Sequence, residues 1–296
     1  MIIDRLSKQN CIHPPKWLIS NTAYLTTMGS QAYGVNTDDS DLDVYGFCIP
    51  PKDIVFPHLA GVIQGFGNQG ERFDQWSEHH IQDPSKQVEY DFTVFSIVKY
   101  FQLCMDNNPN MIDSLFTPRN CVIHSTDVAE IVRENRKTFL HKGAWHKFKG
   151  YAYAQMAKIR TKSNASNPKR AASISEHGYD LKFAYHIVRL LNEVEQILVE
   201  GDLDLQRNRE QLKDIRRGEW TLEQIEQYFE NKERALESAY ATSKLPHGPD
   251  EPAIRKLLFD CLEHHYGDIS AAVRRDINID AMVRDLQRVL DRYTLS

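Results

Sequence analysis

The residues with the greatest chemical potential lie in the first third of the chain. Gly29-Ser30-Gln31-Ala32-Tyr33-Gly34 is followed by Ser40-Asp41-Leu42-Asp43, and Glu89 and Asp91 come later. Carboxylates at i and i+2 on a strand share one face, so Asp41 and Asp43 can ligate one or two hard cations through oxygen. Magnesium favours a few carboxylates completed by substrate phosphates. Bound there, it would activate an attacking hydroxyl and neutralise a leaving pyrophosphate. Gly29 lets backbone approach a polyphosphate, and the Ser30 hydroxyl and the amides after it can donate to phosphate oxygens. Ser40, at the end of that loop in sequence, is a further nucleotide-binding candidate, and Gly34 permits its turn. A third acid on a neighbouring strand would complete the metal site and take the acceptor's proton. Glu89 and Asp91 both qualify. A lone D-x-D is common on solvated edges; what is specific is its combination with Gly-Ser and a later acid.

The elements that must hold these groups follow from periodicity. Asp41, Asp43, Tyr45 and Phe47 alternate with Leu42, Val44 and Cys48, which predicts a strand ended by Pro50 and Pro51. A second alternating run sets Glu89, Asp91, Thr93 and Phe95 against Tyr90, Phe92 and Val94 and leads into a helix from Ser96. Gly29 to Ser40 reads as a turn-rich loop, and the glycines at 65, 67 and 70 as a loop or hairpin. Asn107-Asn108-Pro109 stops the helix after Ser96, with Asn110 as the N-cap of the next. Residues 126–160 read as helical. A long amphipathic helix is expected over 176–200, ending at Gly201, another from Thr221 to about Ala241, and two more over 251–266 and 278–293. This is an α+β chain: a sheet-bearing part, 1–125, and a helical part, 126–296, that completes the cleft.

Gly29-Ser30 through Ser40-Asp41-Leu42-Asp43 resembles the signature of the DNA polymerase β-like nucleotidyltransferases. Val94 to Phe101, Asn108 to Phe116, Gly178 to Leu191 and Ile215 to Trp220 are similar to motifs of the RlaP-type group, linked to RNA repair. The resemblance spans roughly residues 20–250. It implies a Pol β-like mixed sheet with an appended helical domain, an NTP (ATP first among candidates) and a divalent cation, Mg2+ or Mn2+. Catalytic and metal-binding roles carry over to Asp41 and Asp43, with Asp91 favoured over Glu89 as third ligand. Asp113 stands where such motifs more often hold Glu, at a position read as structural. The group defines no acceptor.

Lys182, His186 and Arg189 form one polar stripe on the 176–200 helix. Taken alone, it reads as a solvated face; under the resemblance it becomes a nucleotide clamp, with Lys182 the phosphate ligand. Residues 141–170 carry Lys142, Lys147, Lys149, Lys158, Arg160, Lys162, Lys169 and Arg170 without an acid, interleaved with Trp145, Phe148, Tyr151 and Tyr153. This is either an RNA surface or a basic helix packing its aromatics inward. Arg216-Arg217 reads as an ion-pair site. His79-His80 and His264-His265 lack companions at metal spacing.

The rest of the composition excludes classes. A net charge of −5 argues against a generic nucleic-acid coat. Five scattered cysteines do not make a disulfide framework. A mean hydropathy of −0.52, with no long apolar run, predicts a cytoplasmic protein without membrane contact. The expected activity is transfer of NMP from an NTP to an acceptor hydroxyl, RNA first. The alternatives are a small-molecule or protein hydroxyl as acceptor, or a nucleotide-binding module without turnover.

Overall fold

Alternating strands interrupted by capped helices set the architecture. The computed structural model describes residues 1–36, 41–55, 73–86, 88–161 and 168–267. Helices α1 (Ile2–Lys8) and α2 (Lys16–Asn21) lead into β1 (Thr22–Thr27). The one-turn α3 (Gly29–Ala32), β2 (Leu42–Cys48), the short α4 (Lys52–Val55), β3 (Gln75–Asp83) and β4 (Val88–Ser96) follow. β4 passes straight into α5 (Ile97–Met105), because the Ser96 hydroxyl caps it by accepting from the Lys99 amide at 3.2 Å. Helix α6 (Pro109–Phe116) and β5 (Val122–Ser125) come next. The remainder is helical: α7 (Asp127–Glu134), α8 (Ala144–Thr161), α9 (Pro168–His177), α10 (Leu181–Glu200), α11 (Arg209–Arg216), α12 (Leu222–Thr242) and α13 (Glu251–Tyr266).

The strands form one mixed sheet in the order β3-β4-β2-β1-β5. β2 and β4 run parallel; the other neighbours are antiparallel. Alternation gives each face its own core. Leu25, Val44, Trp76, Tyr90, Phe92 and Val94 pack with Ile3, Leu6 and Leu18 from α1 and α2. Tyr24, Phe47 and Phe95 face the other way and join a second cluster, which includes Tyr100, Trp145, Leu191 and Leu262. The acids of β2 and β4 lie at the rim of this second face, which the later helices cover. Among the described residues, no helix is long and apolar enough to cross a membrane.

Several expectations need correction. The N-cap of α6 is Asn108, whose Oδ1 accepts from the amides of Asn110 and Met111, and Pro109 takes the first helical position. Residues 126–160 are helical as expected, but in separate pieces: α7, a 3-10 turn over Arg136–Phe139, and α8. The chain leaves helical geometry between Leu140 and Gly143, where the Gly143 amide donates to His141 Nδ1 at 3.0 Å and the Lys142 amide to the Pro246 carbonyl at 2.8 Å. These contacts replace the helical bonds that those amides would otherwise make. The long amphipathic helix starts at Leu181, capped by Asp180, and ends at Gly201 in a left-handed conformation. Gly29 to Ala32 forms a helical turn within the expected loop, and β3 is a strand that the sequence did not reveal. The loop at 65–70 and the helix at 278–293 lie outside the described residues.

Candidate active site

The parallel pairing of β2 with β4 places Asp43 directly opposite Asp91. Register partners in a sheet project to the same face, so two expected metal ligands stand side by side. Asp41, exposed, immediately precedes β2. Burial holds the Asp43 carboxyl above the usual carboxylate range. The charges of Asp91 and Asp41 push it the same way, while Lys182 and His79 oppose them. A half-buried acid that repels two others is a site that favours a cation.

Gly29 sits against this carboxylate. Its φ is +61°, and a Cβ there would lie 2.4 Å from Asp43 Oδ2, so both the backbone conformation and the space require glycine. The Met28 amide donates to the Asp43 carbonyl at 2.7 Å and fixes the turn to the strand. Ser30, half-buried, lies in the first turn of α3, where helical amides have no intrahelical acceptor. Ser40 lies outside the described residues.

Glu89 and Asp91 are placed differently. Both oxygens of Glu89 are occupied, Oε1 by His80 Nδ1 at 2.7 Å and Oε2 by the Gln82 side-chain amide. Asp91 accepts from the His80 amide at 2.7 Å through Oδ1 alone. Of the two, only Asp91 is opposite Asp43.

From the helical half, Lys182 projects from the first turn of α10, exposed, and acts on Asp43. His186, one turn on, is half-buried. Burial first, then the charges of Arg189, Lys182, Arg170 and Arg216, push its imidazole well below the ordinary histidine value. It is therefore neutral at pH 7, within a ring of cations. Arg189, the third member of the expected stripe, is not in the cleft. It is buried and binds Asp113 at 2.5 Å and Glu193 at 2.9 Å, with its guanidinium 4.3 Å from the centre of the Tyr33 ring. Tyr33 donates to the same Asp113 oxygen at 2.7 Å. Arg189 thus braces the turn after Gly29 from beneath, and Asp113 is structural.

Tyr45 follows Asp43 on the same face of β2 and packs edge-on against Phe95. Burial and the charges of Asp43, Asp91 and Tyr151 raise its phenol. Tyr151 comes from α8, exposed, and its hydroxyl accepts from the Asn108 side-chain amide at 3.2 Å. The β2 alternation already signals Tyr45, and the basic aromatic segment includes Tyr151, though nothing local places it beside β2. Arg216 donates to the Val35 carbonyl at 2.5 Å, a bridge to the glycine turn and not the expected ion pair, whereas Arg217 does pair with Asp214 and Glu219. The histidines at 79 and 80, which lack partners in sequence, meet Asp91 and Glu89 through the sheet.

Three cations of the basic segment, Lys149, Arg160 and Arg170, are paired with acids. Lys149 binds Glu233 and Glu237 of α12, Arg160 binds Glu226, and Tyr153 donates to Glu233. Lys142 is buried, and Trp145 and Phe148 are core residues. Lys147 and Tyr151 remain exposed one turn apart on α8; Lys162 and the side chain of Lys169 lie outside the described parts.

Comparison with known proteins finds similarity to a protein family, to a curated relative and to a solved structure. The family described as "RlaP: RNA repair pathway DNA polymerase beta family" matches residues 4–260. An uncharacterized 38.9 kDa protein of the nrdC-mobD intergenic region of Enterobacteria phage T4 is 23% identical over 226 residues, which is 75% of this chain and 59% of the relative. A nucleotidyltransferase-like protein from Exiguobacterium sibiricum is similar in structure at a TM-score of 0.28 and 10% identity, over 90% of this chain and 79% of that one.

Proposed function

The chain belongs to the RlaP family of DNA polymerase β-like proteins, and on that premise we propose that it is a nucleotidyltransferase that moves NMP from an NTP to an acceptor hydroxyl. The observation that carries this reading is the pairing of Asp43 with Asp91 beside a turn that must contain Gly29. Asp41, Asp43 and Asp91 would hold Mg2+ or Mn2+, and the donor set, all carboxylate oxygen, suits either ion. When bound, the cation supplies charge neutralisation for the phosphates and activation of the attacking oxygen.

The residues themselves do the rest. The amides after Gly29 and the Ser30 hydroxyl cradle the phosphates, and Ser40 is a further nucleotide-binding candidate. Lys182 adds a positive charge, and neutral His186 offers a hydrogen bond within the cation ring. The acceptor oxygen attacks the α-phosphorus, and the bond from that phosphorus to the oxygen leading to the β-phosphate breaks. Pyrophosphate leaves with that bond's electron pair, and the acceptor's proton passes to Asp91. ATP is the donor that we assign first. Residues 1–125 act as the catalytic core, and 126–296 close the cleft.

RNA is the first acceptor class, supported by the RNA repair pathway in the family description. A nucleotide could stack on Tyr151 beside Tyr45. A small-molecule or protein hydroxyl is the second reading, and one observation favours it: acids of α12 pair with Lys149 and Arg160 of the basic segment. Incubation with α-labelled ATP, Mg2+ and cell lysate, then separation into RNA, protein and small-molecule fractions, distinguishes the two. Label in RNA supports the first reading and label in another fraction the second. If no fraction is labelled while NTP binds tightly, the protein is a nucleotide-binding module.

A further inference from the structure

The edge strand β3 is irregular at one place. Its pairing with β4 slips between Glu78 and Ile81, so His79 and His80 form a bulge. His80 has φ +58°, a left-handed conformation that is uncommon for a residue with a Cβ. A flat pairing would aim the His80 amide along the strand ladder. The bulge turns it onto Asp91 Oδ1 at 2.7 Å. The His80 imidazole is latched to Glu89 Oε1 at 2.7 Å, and Gln82 holds the other oxygen of Glu89. His79 Nδ1 lies 3.6 Å from the same oxygen of Asp91. Among the described residues, the hydrogen bonds and ion pairs of the His80 amide and of the two imidazoles thus end on Asp91 or Glu89.

We propose that this bulge is a positioning device for Asp91: the left-handed His80 amide holds one carboxylate oxygen so that the other is presented beside Asp43, and Glu89 serves as its anchor. Outer contacts of this kind set the orientation of a metal-binding carboxylate, and their loss typically lowers metal affinity or activity by about 10–100-fold. The working part is a backbone amide in a particular conformation, so its side-chain requirement is unusual. Glycine enters the left-handed region freely, whereas a β-branched residue does not. His80→Gly keeps the amide in place. His80→Val keeps a side chain but flattens the bulge.

The inference rests on the reading of Asp91 as a metal ligand, so the test measures Mn2+ alone, without nucleotide or acceptor, by electron paramagnetic resonance. Asp91→Asn defines the complete loss. The expected result is a Kd raised about tenfold by His80→Val and less than threefold by His80→Gly. Circular dichroism verifies folding, and His80→Ala, a milder change of the same sign, stands in if the valine variant is unstable. Equal losses in the valine (or alanine) and glycine variants would make the imidazole itself a ligand and overturn the proposal, as would no loss in either. Unchanged Mn2+ binding in Asp91→Asn would remove the metal reading and this inference together. A normal Mn2+ pattern with no nucleotide transfer would sink only the activity.

Discussion

Asp43 is the residue on which the site's electrostatics turn. Its carboxyl titrates above the ordinary range because it is buried and faces Asp91 and Asp41. The folded state therefore holds a proton that the unfolded chain has released, and this costs stability as pH rises from the usual carboxylate value through the raised one. At neutral pH without metal, Asp43 is a destabilising charge. Asp43→Asn should raise Tm in EDTA, and the gain should shrink in Mg2+, which offsets the same repulsion in the parent protein. Transfer should fall by about 10³-fold or more, given the several kcal/mol that charge neutralisation supplies. Differential scanning fluorimetry with and without metal, beside a labelled-nucleotide assay, checks both halves. His186 carries the opposite sign. Its imidazole is held well below the ordinary value, so the unfolded chain binds the extra proton first. Stability should be lost as pH falls from about 6.5 toward the depressed value. Urea melts at pH 7 and pH 5.5 should show this loss, and His186→Gln should reduce it.

At the level of elements, what the sequence disclosed depended on whether a pattern was local. β2 and β4 were legible because two-residue alternation is continuous through Asp41–Cys48 and Glu89–Phe95, and the acids came with them. β3 was hidden because its residues are polar, as suits an edge, and because the bulge at His79-His80 breaks the alternation. The helical period correctly put Lys182, His186 and Arg189 on one face of α10. It could not show depth: seven residues advance about 10 Å along the axis, which carries Arg189 past the cleft and into the core. Nor could a basic stretch reveal that its partners, Glu226, Glu233 and Glu237, lie far along the chain on α12. The placement of Arg189 has a measurable consequence. It is a buried cation shared by Asp113 and Glu193, both pushed upward by burial. Arg189→Ala should cost about 3–5 kcal/mol by urea unfolding, because it leaves buried carboxylates unpaired. Lys182→Ala, at the exposed start of the same helix, should raise the KM for NTP with little change in stability.

Across the whole molecule, the glycine turn is held from both halves. β1 and β2 fix its ends, while Gln206 donates to the Ala32 carbonyl at 3.2 Å and Arg216 to that of Val35. Tyr33 reaches Asp113, which Arg189 ties to α10. The apolar packing is equally shared. A single cluster runs from Tyr24 and Phe47 on the sheet through Phe101 and Phe139 to Leu191 and Leu262. Without the helical half, that face of the sheet would lie in water, at roughly 25 cal/mol for each Å² exposed. Separate folding of 1–125 is therefore unfavourable, and unfolding should be cooperative across the chain. The four tryptophans allow this to be measured, because Trp17 and Trp76 lie in the sheet half and Trp145 and Trp220 in the helical half. Variants that keep one tryptophan from each half should show the same urea midpoint, once corrected for the stability change of each substitution. Two resolved midpoints, with the sheet reporters persisting after the helical ones are lost, would show that the glycine turn can stand without its helical brace.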